Sequence, residues 1–167
     1  GEDIDFLLEP LLEGETWGFV SDCGLPCLAD PGALLVKRAH QKGIKVEALV
    51  GPSSIYLALM LSGLPGQQFF FHGYLAKEPS KREEELKKVR QLSSQYQATQ
   101  IMIEAPYRNQ ALFDSLLSVL DDSSLLCIAK ELMTPQQWVK TQSIKKWKNE
   151  KELDIRKQAT IFLFSSS

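Results

Sequence analysis

Apolar runs of strand length alternate in the first half of this sequence with segments of helical spacing. "TWGFV" (Thr16–Val20) and "KVEALV" (Lys45–Val50) are the two runs, and each leads through a Gly- and Pro-containing loop into a helical segment. Strands buried on both faces of a parallel sheet have this apolar character. The repeated order of strand, loop and helix therefore predicts a doubly wound α/β fold with right-handed crossovers.

Three helices are predicted in this first half. Ile4–Leu12 has apolar residues at helical spacing. Asp30 suits the N-cap and Pro31 the first turn of a second helix, which runs to about His40. A third helix is predicted over residues 55–61.

The sequence changes character at "HGYLAKEPSK" (His72–Lys81), and we place a domain boundary there. Residues 1–73 are assigned to a first α/β domain and residues 74–167 to a second. The elements predicted around and after the boundary are, in chain order, a strand at Phe69–Phe71, a charged helix over 79–92, a strand at Gln100–Ile103, a helix ending near Leu120, a strand at Leu125–Ala129, a short polar helix at "SIKKWKNE" and a closing strand at Ala159–Phe164.

Composition excludes several classes of protein. No stretch approaches the roughly 18 apolar residues of a membrane span, and the start lacks the pattern of a signal peptide. Three cysteines make no disulfide framework. The few Cys and His residues have no metal-ligand spacing. We therefore expect a cytoplasmic protein with free thiols, no metal and no membrane contact.

The charges are unevenly distributed along the chain. The first 30 residues carry eight Asp and Glu and no Lys or Arg, so the remainder has 19 basic and 13 acidic residues. The basic residues gather at Lys77–Arg90 and Lys145–Lys157. Such a surface could contact phosphate. The ordinary alternative is a set of solvated helix faces of mixed charge.

Two loops, Ser21–Pro31 and Gly51–Ser54, follow the predicted strands and enter helix N-termini. Ligands bind outside the carboxyl ends of such strands, where free N–H groups favour an anion or a carboxylate. Glycines allow close backbone approach, and Asp22, Ser53 and Ser54 add polar side chains. The pair of loops suits a small ligand with amine and carboxylate or hydroxyl groups. The same residue types are also common turn and cap formers.

Other residues leave more than one interpretation open. Cys23 and Cys27 lack the CxxC spacing of a redox pair and are interpreted as small apolar side chains; a thiol-redox role is the alternative. Glu104 and Arg108, four residues apart, form either a local ion pair or a pair facing a cleft, with Arg108 towards phosphate. Lys130 and Glu131, at the end of another strand, have the same two interpretations.

Five segments, taken in order, resemble motifs of the tetrapyrrole methylase superfamily. They are "SDCGLPCLADPG" (Ser21–Gly32), "VGPSS" (Val50–Ser54), "SGLPGQQFFFHGYLAK" (Ser62–Lys77), "IEAPYRN" (Ile103–Asn109) and "AKEL" (Ala129–Leu132). The most similar branch 2′-O-methylates a cytidine of small-subunit ribosomal RNA. The similarity spans nearly the whole chain in the family's order.

The resemblance implies two α/β domains, a parallel-sheet first domain and a mixed-sheet second domain, with S-adenosyl-L-methionine in the cleft between them and usually a homodimer. Glu104 and Lys130 are the candidates for the catalytic base, and Arg108 and Lys130 for contacts to ribosomal RNA. The cofactor-binding residues implied by motif position are Ser21, Asp22, Gly24, Leu25, Pro52, Ser53, Ser54, Glu104, Ala105, Ala159 and Thr160.

The sequence departs from the family pattern in several places. Ile103 replaces the family's Tyr, Cys23 stands where Ala is common, and Lys130 replaces an Arg, which keeps the charge but not the forked donor. The family's first strand and its glycine-rich loop are absent, so we expect a truncated first domain. We therefore expect the chain alone to bind cofactor poorly and to transfer no methyl group.

Three further interpretations remain open at this point. The same fold methylates porphyrinoid carbons in sirohaem and cobalamin synthesis, or a protein side chain in diphthamide synthesis. A non-catalytic RNA-interaction module is the third. The basic second half and "EAPYRN" favour the RNA-methylating branch.

Overall fold

The computed structural model describes residues 2–21 and 24–166. The chain divides into two compact units between Ser53 and Ser54. Their elements, in chain order, are α1 (Glu2–Leu12), α2 (Gly32–Gln41), α3 (Ser54–Ser62), β1 (Phe69–Tyr74), α4 (Pro79–Tyr96), β2 (Thr99–Ile103), a 3₁₀ turn (Pro106–Arg108), α5 (Asn109–Val119), β3 (Leu125–Lys130), β4 (Trp138–Ser143), α6 (Ile144–Trp147) and β5 (Thr160–Ser165). The mixed α/β class predicted from the sequence is confirmed.

The first unit is organised around an ion pair between two helices. The Asp5 carboxylate on α1 accepts hydrogen bonds from Arg38 Nε at 2.6 Å and from Arg38 Nη2 at 2.7 Å, and Lys42 Nζ lies 3.3 Å away. Hydrogen bonding to Arg38, followed by that to Lys42, lowers the pKa of the Asp5 carboxyl below its usual range. Leu8 and Ala39 supply the buried apolar contacts of these helices.

The prediction of two strands in this unit is wrong. Thr16–Val20 and Lys45–Val50 have no regular secondary structure, and no strand pairs with either of them within residues 2–21 and 24–166. Their apolar side chains are exposed, with Val20 at 84% and Leu49 at 90%. A strand forms only where a neighbouring strand satisfies its backbone N–H and C=O groups, and an apolar run does not supply that neighbour.

The second unit contains a five-stranded mixed sheet of order β1-β2-β5-β3-β4. The β1–β2 pair is parallel and the three remaining pairs are antiparallel. Helix α4 provides the crossover from β1 to β2. The closing strand β5 lies at the centre of the sheet, between β2 and β3.

Helices cover both faces of this sheet. Met102, Ile128 and Phe162 face α4 and α5 in the larger core cluster, which also holds the buried Trp147. The alternate residues Ile101, Cys127 and Leu163 belong to a smaller cluster with α3. This alternation follows from the period of two along each strand. Because α3 packs on this sheet, the compact units divide at Ser53/Ser54; the predicted domain boundary at 73/74 stays a prediction.

Helix α4 and strand β4 differ from their sequence-based expectations. The Glu78 side chain caps α4 by accepting from Ser80 N at 3.2 Å, and the helix continues to Tyr96 rather than ending near residue 92. β4 was not predicted because "WVKTQS" is mostly polar, and all six of its residues are half-buried at the sheet edge. None of the described helices is long and apolar enough to cross a membrane.

Candidate functional site

Three predicted site residues lie side by side across the middle of the sheet of the second unit. Ile103 on β2 pairs with Ile161 on β5, so Glu104, the next residue, lies beside Thr160. Lys130 on β3 is the register partner of Thr160 from the other side. Adjacent strands are about 4.8 Å apart, which puts the backbones of Glu104 and Lys130 about 10 Å apart.

The side chains of this row point to the face covered by α4 and α5. Lys130 and Thr160 are each two residues from Ile128 and Phe162, which lie on that face. Thr160 is buried, and its Oγ1 accepts a hydrogen bond from Asn109 of α5 at 3.1 Å. The row is therefore a polar margin at the end of an otherwise apolar face.

The Glu104 carboxylate is held by a single tight turn. Pro106 begins a 3₁₀ turn that carries Arg108 back over Glu104. Glu104 Oε1 accepts from Ala105 N at 2.7 Å, from Arg108 Nε at 2.9 Å and from Arg108 Nη2. Hydrogen bonding to Glu104 raises the pKa of the Arg108 guanidinium. The local ion pair, one of the two interpretations left open by the sequence, is the arrangement found.

The second oxygen of the same carboxylate differs from the first. The Glu104 side chain has 0% exposure, and within the described residues no hydrogen bond reaches its Oε2. A buried charged oxygen without a donor costs free energy. Such an atom is suited to accept a hydrogen bond from a ligand.

Asn109 ties the start of α5 to the segment that precedes β5. Its Nδ2 donates to Ile155 O and to Gln158 O, both at 2.8 Å, and it contacts Thr160 Oγ1. Asn109 Oδ1 is a second buried acceptor that lacks a partner among the described residues. The sequence analysis assigned Asn109 no role, because an Asn at a helix start is usually a local cap.

Backbone bonds also fix the position of Ala159. Ala159 N donates to Glu131 Oε1 at 2.7 Å, and Glu131 N donates to Ala159 O at 2.9 Å. Glu131 has a positive φ of 52°, an uncommon conformation for a residue with a side chain. Glu131 therefore fixes the position of the Ala159 backbone, whereas the sequence left it either an ion pair or a position facing a cleft.

Lys130 lies at the mouth of a cleft. Its Nζ donates to Asp154 O at 2.7 Å and lies 5.0 Å from the centre of the Trp138 ring, an arrangement typical of a cation–π contact. Lys140 forms an ion pair with Glu150, and hydrogen bonding to Lys140 lowers the pKa of the Glu150 carboxyl. The cleft has a volume of about 240 Å³ and is lined by Lys130, Trp138, Lys140, Glu150, Glu152, Leu153 and Asp154.

The predicted ligand loop of the first unit is closed by one carboxylate. Asp30 Oδ1 accepts from Cys27 N at 3.0 Å and from Gly32 N at 2.7 Å. Cys27 and Ala29 have positive φ angles of 65° and 66°, so the loop stores backbone strain. Ser21 Oγ donates to Gly24 O at 3.0 Å. Asp30 therefore acts as a turn former before α2 rather than as its N-cap, which is Pro31.

The two predicted loops touch within the first unit. A Cβ added to Gly51 would lie 3.2 Å from Leu25 Cδ2, so the Leu25 side chain rests on the Gly51 backbone. Asp22 and Cys23 lie outside the described residues. The two loops therefore share an apolar contact, and the predicted polar contact of Asp22 stays a prediction.

Residues 52–54 differ in burial. Pro52 is exposed, and Ser54 is the exposed first residue of α3. Ser53 is 7% exposed, and its Oγ has no hydrogen-bond partner among the described residues. Ser53 thus provides a buried hydroxyl group in the predicted loop.

The described cysteines have no arrangement for redox or metal chemistry. Cys27 and Cys127 are free, and burial raises the pKa of the Cys127 thiol to about 11, with a smaller opposing effect of a hydrogen bond to Thr141. Within residues 2–21 and 24–166 no group of three or more His, Cys, Asp or Glu side chains is placed to hold a metal ion.

Comparisons with known proteins identify similar sequences and folds. Residues 1–147 match the family described as Tetrapyrrole (Corrin/Porphyrin) Methylases. Over 126 residues the chain is 34% identical to the Ribosomal RNA small subunit methyltransferase I of Xylella fastidiosa, and 36% identical to that of Vibrio cholerae. The alignments cover 75% of this chain and 45% and 42% of those proteins. The chain thus spans less than half the length of these relatives.

A solved structure shares the fold. The crystal structure of the methyltransferase CobJ superposes with a TM-score of 0.65 at 17% sequence identity. The superposition covers 99% of this chain and 71% of the CobJ chain. At this identity the likeness concerns the fold alone.

Proposed function

Because the chain belongs to the tetrapyrrole methylase family, we propose that it is part of an S-adenosyl-L-methionine-dependent methyltransferase. Its proposed acceptor is the ribose 2′-hydroxyl of a cytidine in small-subunit ribosomal RNA. The names of the relatives from Xylella fastidiosa and Vibrio cholerae support this acceptor class. The basic balance of residues 31–167 supports an RNA partner.

The observation that carries the proposal is the unpartnered carboxylate oxygen of Glu104. Glu104 Oε2 is buried and lacks a donor among the described residues, and so does Asn109 Oδ1. S-adenosyl-L-methionine carries hydroxyl, amine and ammonium donors. These two acceptors at the margin of the sheet therefore fit a cofactor that is rich in hydrogen-bond donors.

When bound, the cofactor supplies a methyl group on an electrophilic sulfonium. The chain's own residues would then hold it and orient the acceptor, since positioning accounts for much of the catalysis of such transfers. Glu104 and Ala105, which follow β2, are proposed contacts, and so are Ala159 and Thr160 at the start of β5. The proposed contacts of the first unit remain Ser21, Asp22, Gly24, Leu25, Pro52 and Ser53, together with the following Ser54.

A ribose hydroxyl must lose its proton as the methyl group arrives. Glu104 Oε2 is the proposed acceptor, because three donors already occupy Oε1. Lys130 donates to a carbonyl and is better suited to attract a phosphate. Arg108 remains a proposed RNA contact only through its outer surface, because its guanidinium is paired with Glu104.

A porphyrinoid acceptor is the second candidate, and the family description favours it. Methylation of a porphyrinoid carbon needs no base for a hydroxyl proton, so it would leave Glu104 Oε2 without that role. The non-catalytic RNA-interaction module is the third candidate. A cytoplasmic location and a homodimer are also proposals, which rest on the family and on the rRNA-methylating relatives.

Calorimetric titration with S-adenosylhomocysteine tests the proposal. We would titrate the 167-residue chain and a chain extended to the length of the relatives, each as wild type and as Glu104→Gln. We expect the extended chain to bind and Glu104→Gln to weaken binding, whereas the matched control Glu84→Gln, at an exposed residue of α4 outside the proposed set, changes it little. If neither chain binds, the cofactor assignment is wrong.

Methyl transfer identifies the acceptor. The extended chain, labelled cofactor and small ribosomal subunits lacking the modification should give label in a cytidine ribose. Label in a porphyrinoid and none in RNA would replace the first candidate by the second. Cofactor-independent RNA binding with no transfer to either acceptor would favour the interaction module.

A further inference from the structure

Two tyrosines stand exposed around Arg108 at one edge of the sheet of the second unit. Tyr107, the middle residue of the 3₁₀ turn, is 76% exposed, and Tyr74, the last residue of β1, is 58% exposed. β1 and β2 are parallel and Tyr74 pairs with Ile103, so both tyrosines emerge at the carboxyl ends of neighbouring strands. Both phenols also contribute, after Glu104, to the raised pKa of Arg108.

The Tyr107 ring packs against a neighbouring cation. The Arg108 guanidinium carbon lies 5.4 Å from the ring centre. That guanidinium is itself fixed by the buried Glu104 carboxylate. The ring therefore rests against a cation that is held in place, and most of the Tyr107 surface is exposed to solvent. Stacking of a base on this ring would cost little conformational entropy, because the ring is already held in place.

A basic segment runs beside this turn. Lys157 N donates to Pro106 O at 3.2 Å, which brings residues 156–157 next to Tyr107. Arg156 and Lys157 are both exposed. Arg156 contacts Asp154 at 3.2 Å in an exposed pair, whereas the Lys157 ammonium makes no ion pair within the described residues. The surface thus combines two aromatic rings with a cation that is available to phosphate.

We propose that Tyr107 and Tyr74, with Lys157 beside them, form a platform on which unpaired bases of an RNA strand stack. This proposal rests on the proposed function for the class of partner, RNA. Single-stranded nucleic acids are held by aromatic rings that take the bases and by cations that follow the backbone. In a duplex the base faces are covered by their neighbours, so this platform selects unpaired nucleotides. It would present the strand next to Glu104, the proposed proton acceptor.

Binding of RNA to the full 167-residue chain tests the platform without any methyl transfer. The probe is a labelled oligoribonucleotide of about 12 nucleotides, single-stranded or as a blunt duplex, followed by fluorescence anisotropy. We expect tighter binding of the single strand. Tyr107→Ala should weaken it about 10-fold, and Tyr107→Phe should stay within about 2-fold of wild type, because the ring rather than the hydroxyl stacks.

Tyr96→Ala is the matched control. Tyr96 is 46% exposed and lies at the end of α4, where its ring packs against Phe70. We expect its removal to leave RNA affinity unchanged. Lys157→Ala should make the dependence of log affinity on log salt shallower by about 0.7, the contribution of one phosphate contact in a single strand.

Several results would overturn the platform. Equal affinity of wild type and Tyr107→Ala, equal binding of single strand and duplex, or no binding at all each contradict it. Competition by a polyglutamate peptide that depends on Tyr107 would assign the surface to an acidic protein instead. Tyr107-dependent RNA binding in a chain whose extended form binds no S-adenosylhomocysteine would support the platform while the methyltransferase proposal fails.

Discussion

Glu104 and Arg108 form an ion pair across one 3₁₀ turn, with the carboxylate fully buried and the guanidinium mostly covered. Within the described residues, Glu104 Oε1 accepts all the hydrogen bonds to this carboxylate, and Oε2 accepts none. Glu104 Oε1 therefore has a structural role, whereas Oε2 is available to a ligand. Variants of Glu104 can therefore test its structural role and its proposed chemical role.

Exchange of Glu104 for Gln tests the structural and the chemical role of this carboxylate by two different measurements. The variant keeps the shape but loses the charge that pairs with Arg108, so we expect a lower thermal midpoint for the second unit. In the extended chain we expect methyl transfer to fall about 100-fold, the usual effect of removing a general base. Unchanged transfer with a lowered thermal midpoint would assign Glu104 a structural role alone.

Asn109→Ala should destabilise the second unit by about 2–4 kcal/mol, because it removes a buried donor shared by two carbonyls and a hydroxyl. Urea unfolding followed by far-UV circular dichroism measures the free energy of unfolding. The adjacent Gln110→Ala is the control. The Gln110 side chain is exposed and donates to Asp114, so its loss should change the free energy by less than about 0.5 kcal/mol. Equal effects of the two variants would contradict the assignment.

Gly32→Ala should destabilise the first unit. The new Cβ would clash with Phe19 Cε1 and lie 2.8 Å from Asp30 Oδ1, the oxygen that closes the loop before α2. We expect a loss of about 1–3 kcal/mol in urea unfolding. Gly18→Ala in the same unit meets no atom within 4 Å and serves as the control. A variant as stable as the control would show that Phe19 moves aside without cost.

The thiols should differ in reactivity. With Cys23 and Cys27 both replaced by Ala, the remaining Cys127 should not react with an aromatic disulfide reagent at pH 8 until urea unfolds the chain. Its thiol is fully buried, and its pKa of about 11 leaves little thiolate. The unfolded chain should react at once. The same double variant should bind RNA like wild type, and a loss specific to it would revive the thiol-redox alternative.

The sequence predicted the second unit better than the first. The strands around Ile101, Ile128 and Phe162 were found because each is a short apolar run whose neighbours lie in the same chain. Trp17 and Leu49 belong to equally apolar runs, but pairing is a non-local property that an apolar pattern does not contain. The polar strand that begins at Trp138 was missed for the converse reason, since its position at the edge permits polar residues.

The site shows the same contrast between local and non-local information. Glu104 and Arg108 are four residues apart, so their pairing was one of two local alternatives. Asn109 bonds to residues 46 and 49 positions later, and no local signal marks such a partner. Tyr107 stands between the two members of the ion pair in sequence, yet its exposure became evident only from the fold.

The central place of β5 has a consequence for how this protein is made. Strands β2 and β3 have no direct pairing with each other and are joined only through Thr160–Ser165. During translation the sheet can form only as two halves, each with an open edge, until β5 has left the ribosome. A ribosome that stalls or a protease that cuts shortly before Thr160 would release both halves unjoined. Quality control by chaperones and proteases would then act on the second unit as a whole.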